Sequence, residues 1–432
     1  MDELGIDGET VIERMRELPG GPELLDLAAG RDDVELVGGA VRDLLLERTP
    51  RELDVVVGKD APSFARAIAS RLSLPASEDP TGRFGVRVHE RFGTALVWWQ
   101  GGRIDIATRR AESYSAPGAL PDVGPGTLED DLRRRDFTIN AIAVHLAGPR
   151  VGETSAVPHA SEDLARSRLR VLHERSFVDD PTRLLRLARY LARLRFEPEE
   201  RTAELAEQAL AGGQLSTVSG ARIGAELRLL LSEPDPLAAL RWLGELGVLE
   251  ALHPGLRLNE HVAQRALVAL PDDGRGDLLL LATLLMGMSD DTATDSEQAM
   301  LALLDELEFP AGDRDRAVGA ALKAPLLLDR LQAARKPSEL GEPVHGAPVE
   351  ALALALGLAE DGGRAQAAAA AARWISELRH VRLQITGEDL LAAGIPAGPE
   401  IGQRLKLAMR RKLDGELTGG REDELSAALE TL

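Results

Sequence analysis

The sequence predicts an α+β protein, in which a head of mixed strands and helices precedes a long helical remainder. Short amphipathic helices are expected over the first 30 residues. Up to about residue 146, helical stretches alternate with runs rich in β-branched and aromatic residues, at 52–57, 94–99 and 103–108. Beyond about residue 160 the strand pattern is lost, and helical periodicity broken by Pro and Gly continues to the end.

Composition limits the possible classes of function. A chain of 432 residues is too long for one compact core, so two to four domains are expected. The absence of cysteine excludes disulfides, thiolate catalysis and cysteine-based zinc sites, and the eight histidines include no pair at metal-ligand spacing. No apolar run reaches membrane-spanning length, and the first residues lack the pattern of a signal peptide. We therefore expect a cytoplasmic enzyme.

The charge pattern leaves a nucleic-acid partner open. The formal net charge of −20 disfavours tight nonspecific binding to nucleic acid. Recognition depends on local basic surfaces instead, and basic residues cluster at 133–135, 183–193 and 404–412.

Two carboxylates lie one residue apart in the first strand-like run. Residues i and i+2 of a β-strand share a face, so Glu52 and Asp54 point the same way while apolar neighbours anchor the strand in a core. Two acids so placed can bind a pair of divalent metal ions. Asp105 alternates with isoleucines in a later run, and it becomes a third ligand, or activates a hydroxyl, if the two strands pair. A solvated strand edge would also explain these acids.

A Gly-Gly pair precedes these acids, in the order strand, Gly38-Gly39, helix, strand. Glycine lets the backbone approach a ligand closely, and the N-terminus of the following helix favours phosphate. A phosphate cradle beside a divalent-metal site is what nucleotidyl transfer requires. The order of these features favours that chemistry over an ordinary glycine loop.

Asp136 and Asn140 follow a run of arginines. If residues 136–140 are helical, the two side chains share a face and can hydrogen-bond a ribose, while Arg135 neutralises phosphate. The alternative is an Asp N-cap with solvated arginines.

Residues 177–194 predict a strong amphipathic helix. Asp180 and Pro181 fit its N-cap and first position, which is a sufficient structural explanation for both. Arg183 then falls in the first turn, where the helix dipole disfavours a cation, and this unfavourable placement suggests a function.

The same helix carries leucines on one face and arginines on the other. The leucine face is predicted to be core, and Arg186, Arg189 and Arg193 are either solvated or follow a phosphate backbone. In a later helix, Arg222 and Glu226 form either an intrahelical ion pair or a brace for a nucleotide site.

Taken in order, these segments resemble the class II tRNA nucleotidyltransferase/poly(A) polymerase family. The resemblance implies template-independent addition of C and A nucleotides, from CTP and ATP, to the 3′ end of tRNA. It implies a polymerase-β-like nucleotidyltransferase head at 1–146, then a helical neck at 147–250, a body at 251–365 and a tail at 366–432. The matching stretches are 36–43, 52–54, 134–141, 163–164 with 169–172, 179–183 and 222–227, with a weaker likeness at 385–402.

The resemblance also implies roles for single residues. Glu52 and Asp54 would hold two Mg²⁺ ions, and Asp180 and Arg183 would read the edge of the incoming base. The full set of expected nucleotide contacts is Gly38, Gly39, Arg42, Arg135, Asp136, Asn140, Asp179, Asp180, Arg183, Arg186 and Arg222. The expected contacts with the tRNA backbone are Arg404, Lys406, Arg410, Arg411 and Lys412.

This chain departs from the family pattern at two acids and keeps an inserted segment. Glu52 and Asp179 stand where the family usually has Asp and Glu. Residues 109–114 and the Gly/Pro-rich stretch 117–126 occupy the place of a flexible loop that accompanies A addition in the family. CCA addition is therefore the leading hypothesis. The alternatives are an A-adding enzyme, a poly(A) polymerase and a non-catalytic tRNA-binding homologue.

Overall fold

The computed structural model describes residues 6–75, 82–90, 93–146, 148–288, 293–344 and 346–430. The chain divides into two compact units, Met1–Val218 and Ser219–Leu432. Within the described residues, every strand belongs to the first unit, and the second is built from helices and their connections. The predicted α+β class is confirmed. No helix among the described residues of either unit combines the length and the apolar character needed to cross a membrane.

A seven-stranded sheet forms the centre of the first unit. The strands of this unit are β1 (Val34–Val37), β2 (Leu53–Val57), β3 (Gly85–His89), β4 (Thr94–Trp99), β5 (Gly102–Thr108), β6 (Arg110–Ser113), β7 (Asp122–Pro125), β8 (Ile142–His145), β9 (Thr154–Ala156), β10 (Arg168–Leu169) and β11 (Glu197–Pro198). The large sheet has the order β3-β4-β5-β2-β1-β8-β9, and only β2 and β5 are parallel neighbours in it. Strands β4 and β5 form a hairpin that turns at Gly101-Gly102.

Residue alternation gives the sheet two different faces. On β2, Leu53, Val55 and Val57 enter the main hydrophobic core. Val56 joins a smaller apolar cluster on the opposite face. Because successive side chains of a strand point to opposite faces, Asp54 shares the face of Val56. The helices therefore cover the face of the sheet that carries Leu53, Val55 and Val57. The Asp54 side chain lies on the opposite face.

The helices of the first unit have well-defined ends. Five of them contribute apolar side chains to the main core: α1 to α4, and α6 through Ala160. Their sequences begin with caps where the chain supplies them, as at Asp7 and Asp60, whose side chains accept hydrogen bonds from the first turn. The helices are α1 (Gly8–Arg16), α2 (Gly21–Ala28), α3 (Gly39–Leu45), α4 (Ala61–Arg71), α5 (Leu128–Arg133), α6 (Ala160–Ala165), α7 (Ser176–Asp179), α8 (Arg183–Leu194) and α9 (Glu200–Ala211).

The second unit packs its helices around α18, which contacts α13, α14, α16 and α19. All residues of α14 after the first turn are buried, in agreement with its run of leucines. The helices are α10 (Gly220–Leu231), α11 (Pro236–Glu245), α12 (Val248–Leu252), α13 (Glu260–Ala269), α14 (Gly276–Leu285), α15 (Ala293–Glu306), α16 (Ala311–Ala333), α17 (Ser338–Val344), α18 (Val349–Asp361), α19 (Ala365–Ser376), α20 (Gly387–Ala392), α21 (Pro399–Leu413) and α22 (Arg421–Leu429).

Two local expectations are wrong. Residues 136–140 do not form an α-helix: Phe137 is extended and bridges to Val171, and only 138–140 make a 3₁₀ turn. Helix α8 begins at Arg183 with Thr182 as N-cap, because a separate short helix ends at Asp179 and Asp180 is extended. The stretch 109–126, which occupies the place of the family's flexible loop, contains the antiparallel hairpin β6–β7.

Candidate functional site

Three carboxylates lie close together at the parallel strand pair of the central sheet. Asp54 on β2 and Asp105 on β5 are direct partners in that pair. Glu52 lies just before β2, and its charge acts on Asp54. Asp54 and Asp105 line a cavity of about 390 Å³, together with Arg134 and Arg135. The structure thus brings Asp54 and Asp105 to an open cavity with Glu52 nearby, although the roles of all three stay predictions.

The surroundings of Asp54 raise the cost of ionising its carboxyl. Burial is the main reason that the pKa of the Asp54 carboxyl rises to about 7. The charges of Glu52 and Asp105 act in the same direction, and the guanidiniums of Arg135 and Arg42 only partly oppose them. A divalent cation would favour the ionised carboxylate, so the site gains from binding one.

Arg103 bridges the two outer acids. Its Nε and Nη2 donate to the two oxygens of Asp105, both at 2.7 Å, and its Nε lies 3.8 Å from Oε2 of Glu52. Within the described residues, no three His, Asp or Glu side chains are already grouped as a metal site. The donor chemistry nonetheless fits Mg²⁺, which prefers carboxylate oxygens, and Glu52, Asp54 and Asp105 are the residues that could hold it.

The Gly-Gly turn lies against Asp54. Gly38 has φ +70°, a conformation that strongly favours glycine. A Cβ at this position would lie 2.6 Å from Nη1 of Arg135 and 3.4 Å from Oδ2 of Asp54, and a Cβ on Gly39 would lie 3.8 Å from the same oxygen. The backbone of this turn therefore lies directly against the acidic site, and a side chain at Gly38 would collide with Arg135.

A chain of hydrogen bonds connects four of the predicted nucleotide contacts. Arg42 is buried and donates to Oδ1 of Asn140 and to Oδ1 of Asp43. Nδ2 of Asn140 donates to Oδ1 of Asp136 at 2.9 Å, and Nε of Arg186 donates to Oδ2 of Asp136 at 3.0 Å. The sequence predicted that Asp136 and Asn140 lie close together, but the tight turn brings them together, not a helical face.

Asp136 is an ionised carboxylate in a buried setting. Burial alone would raise its pKa, but the charge of Arg186 and the hydrogen bond from Asn140 hold the pKa of Asp136 far below its usual range. Both of its oxygens accept hydrogen bonds from protein groups. Asp136 therefore orients the side chains of Asn140 and Arg186. The predicted ribose contact then depends on the polar atoms of Asn140 and Arg186 that do not bond Asp136.

A second cavity, of about 320 Å³, adjoins Arg134. Asp179 and Arg183 line it, as does Arg134 itself. Arg183 is buried and donates from Nη2 to the carbonyl oxygen of Arg134 at 2.9 Å and from Nη1 to Oγ of Ser176 at 3.2 Å. This explains how a cation is held at the first turn of α8 in spite of the helix dipole.

Asp180 has a different setting from its predicted N-cap role. Its Oδ1 accepts hydrogen bonds from the backbone N and from Oγ1 of Thr182, at 3.1 and 2.6 Å. The carboxylate thus closes the Asp-Pro-Thr turn that leads into α8, three residues before the helix begins at Arg183. Of the two residues expected to read the base, Asp180 and Arg183, Arg183 lines the second cavity, together with the expected nucleotide contact Asp179.

The arginine face of α8 surrounds an aromatic ring. The guanidinium carbons of Arg186, Arg189 and Arg193, and that of Arg42, lie 5.3 to 5.7 Å from the centre of the Tyr190 ring. Arg189 is only 6% exposed, so of the two alternatives left open for this face, a solvated side chain is excluded for Arg189. The ring quadrupole stabilises cations placed over its faces, which is a physical reason for their burial. The leucine face is core, as predicted.

Sequence reasoning missed two buried carboxylates. Asp131 in α5 contacts Arg134 and Arg135, a relationship that the i, i+3 and i, i+4 spacing could have revealed. Glu35 on β1 accepts from Nε of Arg109 at 3.0 Å and lies 3.2 Å from Nδ1 of His145. The second cluster joins strands far apart in sequence, so no local pattern announces it.

The predicted residues of the second unit fall into two groups. Arg222 lies in α10, one turn before Glu226. In α21, Arg404 pairs with Glu400, Lys412 with the buried Glu424, and Arg411 with Glu416 and Glu430. Lys406 and Arg410 are exposed, and neither forms an ion pair with any residue that the structure describes.

Comparison with protein families identifies two matching segments. Residues 34–170 match the poly A polymerase head domain. Residues 195–258 match the probable RNA and SrmB-binding site of polymerase A. The first segment covers the seven-stranded sheet and the first cavity, whereas Asp179 and Arg183 of the second cavity lie between the two segments.

Curated relatives include enzymes with different nucleotide specificities. An A-adding tRNA nucleotidyltransferase of Geobacter sulfurreducens is 31% identical over 426 residues, which is 94% of this chain and 46% of the relative. A CC-adding tRNA nucleotidyltransferase of Deinococcus radiodurans is 40% identical over 238 residues, which is 55% of this chain and 60% of the relative. The chain spans about half the length of the curated relatives that it matches.

Solved structures match over nearly the whole chain. The Thermotoga maritima CCA-adding enzyme complexed with tRNA has a TM-score of 0.75 and 28% identity, covering 98% of this chain and 99% of that one. Complexes of a CCA-adding enzyme with CTP and with ATP have TM-scores of 0.76 and 0.77, at 28% and 29% identity and with the same coverage. The fold and the order of the motifs are therefore shared along the chain.

Proposed function

Since the chain belongs to the class II tRNA nucleotidyltransferase/poly(A) polymerase family, we propose that it adds C and A nucleotides, from CTP and ATP, to the 3′ end of tRNA with release of pyrophosphate. The observation that carries the proposal is the cavity at which Asp54 and Asp105 meet beside the Gly38-Gly39 turn. A cytoplasmic location goes with this proposal.

The chain's own residues divide the task. The Gly-Gly backbone and Arg135 would receive the triphosphate at the first cavity, and Arg183 with Asp179 would meet the base at the second. Glu52, Asp54 and Asp105 are the residues that would hold Mg²⁺, which when bound would activate the attacking 3′-hydroxyl and stabilise the charge of the α-phosphate and the leaving pyrophosphate.

Addition of A alone is the second candidate. It is supported by the A-adding relative, whose match extends over 94% of this chain, and by the inserted segment 109–126. Against a restriction to A stand the matched CCA-adding structures, one of which is a complex with CTP.

The test uses three forms of one tRNA: lacking CCA, lacking only the final A, and complete. Each is incubated with the protein, Mg²⁺ and labelled CTP or ATP. CCA addition predicts incorporation of both nucleotides on the first form and of A on the second. Incorporation of A without C would establish the A-adding activity, and a long A tail on the complete tRNA would indicate a poly(A) polymerase.

A matched variant separates catalysis from binding. Asp54→Asn is expected to abolish incorporation on every tRNA while leaving tRNA affinity largely unchanged, since the carboxylate serves the metal rather than the RNA. Wild-type protein that binds tRNA but incorporates nothing would support the non-catalytic homologue instead.

A further inference from the structure

A buried carboxylate behind the two cavities holds the arginines that line them. Asp131 in α5 is fully buried. Its Oδ1 accepts from Nε and Nη2 of Arg134 at 3.0 and 2.7 Å, and its Oδ2 accepts from Nη2 of Arg135 at 2.9 Å. One carboxylate thus contacts two neighbouring guanidiniums, and Oε1 of Glu112 accepts a further hydrogen bond from Nη1 of Arg134 at 3.2 Å.

The two arginines serve different cavities. Arg134 lines both, and its carbonyl oxygen receives the hydrogen bond from Arg183. Arg135 lines the first cavity, where it adjoins the Gly38 turn and its charge acts on Asp54. Asp131 therefore contacts residues that line both cavities: Arg135 at the acidic cavity, and Arg134 at the cavity that Arg183 lines.

One atom argues against a purely structural ion cluster. Nε of Arg135 is buried and has no hydrogen-bond partner within the described residues. Buried polar atoms in a structural network are normally satisfied, and each exception requires an explanation. Arg135 is thus held in an orientation that its own hydrogen bonding does not favour, as expected where the orientation serves a ligand.

We propose that Asp131 is a positioning residue for the incoming nucleotide: it fixes Arg134 and Arg135 so that the triphosphate and the base meet guanidiniums already in place. The inference rests on the proposed function. A free arginine side chain loses rotamer freedom when it binds phosphate, and one held by a buried carboxylate has lost that freedom on folding. The benefit therefore falls on nucleotide affinity and selection.

Asp131→Asn removes the charge and keeps the shape. We expect the KM for CTP and for ATP to rise about 10- to 100-fold, the range for losing a charged hydrogen bond, with a smaller change in kcat. We also expect weaker discrimination between C and A. The control is Glu129→Gln, which removes an exposed Arg133 ion pair from the same helix and should leave KM within about twofold.

A second comparison separates positioning from general structural support. Asp131→Asn is added to a protein that already carries Arg134→Gln and Arg135→Gln. If Asp131 acts through these arginines, KM changes little further; an independent, multiplying increase would overturn the proposal. Unchanged KM and selectivity in the Asp131→Asn protein would overturn it as well.

The remaining outcomes are also distinguishable. If Asp131→Asn does not fold by circular dichroism, Arg135→Lys, which keeps the charge without the fixed guanidinium geometry, takes its place. It should raise KM for both nucleotides, and an unchanged KM would overturn the proposal. Failure of the wild-type protein to incorporate any nucleotide would instead remove the proposed function, before any variant is compared.

Discussion

Asp54 and Asp105 face each other across the parallel pair of β2 and β5 in a sheet whose other neighbours are antiparallel. A parallel pair requires a crossover connection, which here consists of α4, β3 and β4. The crossover therefore brings the third acid beside the first two, although about fifty residues of chain separate them.

The raised pKa of Asp54 predicts how stability depends on pH. In the folded protein the pKa is about 7, above the usual value of 3.8, so between these values the folded state binds more protons than the unfolded state. Stability from this group is therefore lost as pH rises through that window. Asn cannot ionise, so in EDTA the gain in Tm of Asp54→Asn over wild type should be larger at pH 8 than at pH 5.

Mg²⁺ provides the control for that measurement. Added at pH 8, it should raise the Tm of the wild type more than that of Asp54→Asn, because binding to the folded state stabilises it. An equal Tm difference between the two proteins at pH 5 and pH 8 would contradict the assignment of the raised pKa.

Replacement of Arg183 should alter nucleotide choice. Arg183→Ala removes donors to the Arg134 carbonyl and to Ser176, so we expect a loss of about 1–3 kcal/mol in the free energy of unfolding. We also expect the ratio of C to A incorporation on tRNA lacking CCA to move towards unity more than total incorporation falls. Arg201→Ala, an exposed ion-paired arginine, should change neither; undiminished selectivity in Arg183→Ala would exclude base reading by this residue.

Asp136 should contribute stability at neutral pH that is lost in acid. Its folded pKa lies below the usual value, so the contribution is present above about pH 4 and declines as pH falls towards the folded pKa. Asp136→Asn should reduce the free energy of unfolding by about 1–3 kcal/mol at pH 7, with a smaller difference at pH 3. Urea titration at both pH values measures it, with the exposed Asp122→Asn as control. An equal loss at both pH values would contradict an ionised, paired Asp136.

The basic residues of α21 should separate into two classes. Lys406→Ala with Arg410→Ala should weaken tRNA binding and reduce its salt dependence without lowering Tm, because both side chains are exposed and lack ion pairs in the described structure. Lys412→Ala should lower Tm, since it leaves the buried Glu424 without that cation. Filter binding at several salt concentrations measures the first effect; an unchanged affinity would remove α21 from the RNA contact.

Much of the sheet and of the acidic site could be predicted from the sequence. Alternation predicts the side of Asp54 on β2 and of Asp105 on β5. Both predictions depend on the two-residue period of a strand, which is a local property. The sequence does not predict the pairing of β2 with β5, because strand order is set by long-range packing.

The local predictions that fail do so for three different physical reasons. Phe137 pairs with Val171, and this distant bridge prevents a helix at 136–140. Asp180 bonds Thr182 within its own turn, a local alternative to capping that Asp often adopts. Arg189 is buried against Tyr190, and helical periodicity describes hydrophobic faces without indicating that cations can stack on a ring.

Strand β2 alternates between apolar side chains that enter the core and an acid that faces the cavity. This alternation makes the strand sensitive to insertions and deletions. One residue inserted or deleted within Leu53–Val57 would send the valines outward and drive a carboxylate into the hydrophobic interior. Homologous chains should accordingly differ there by substitution alone, with their length differences confined to the connections before and after the strand.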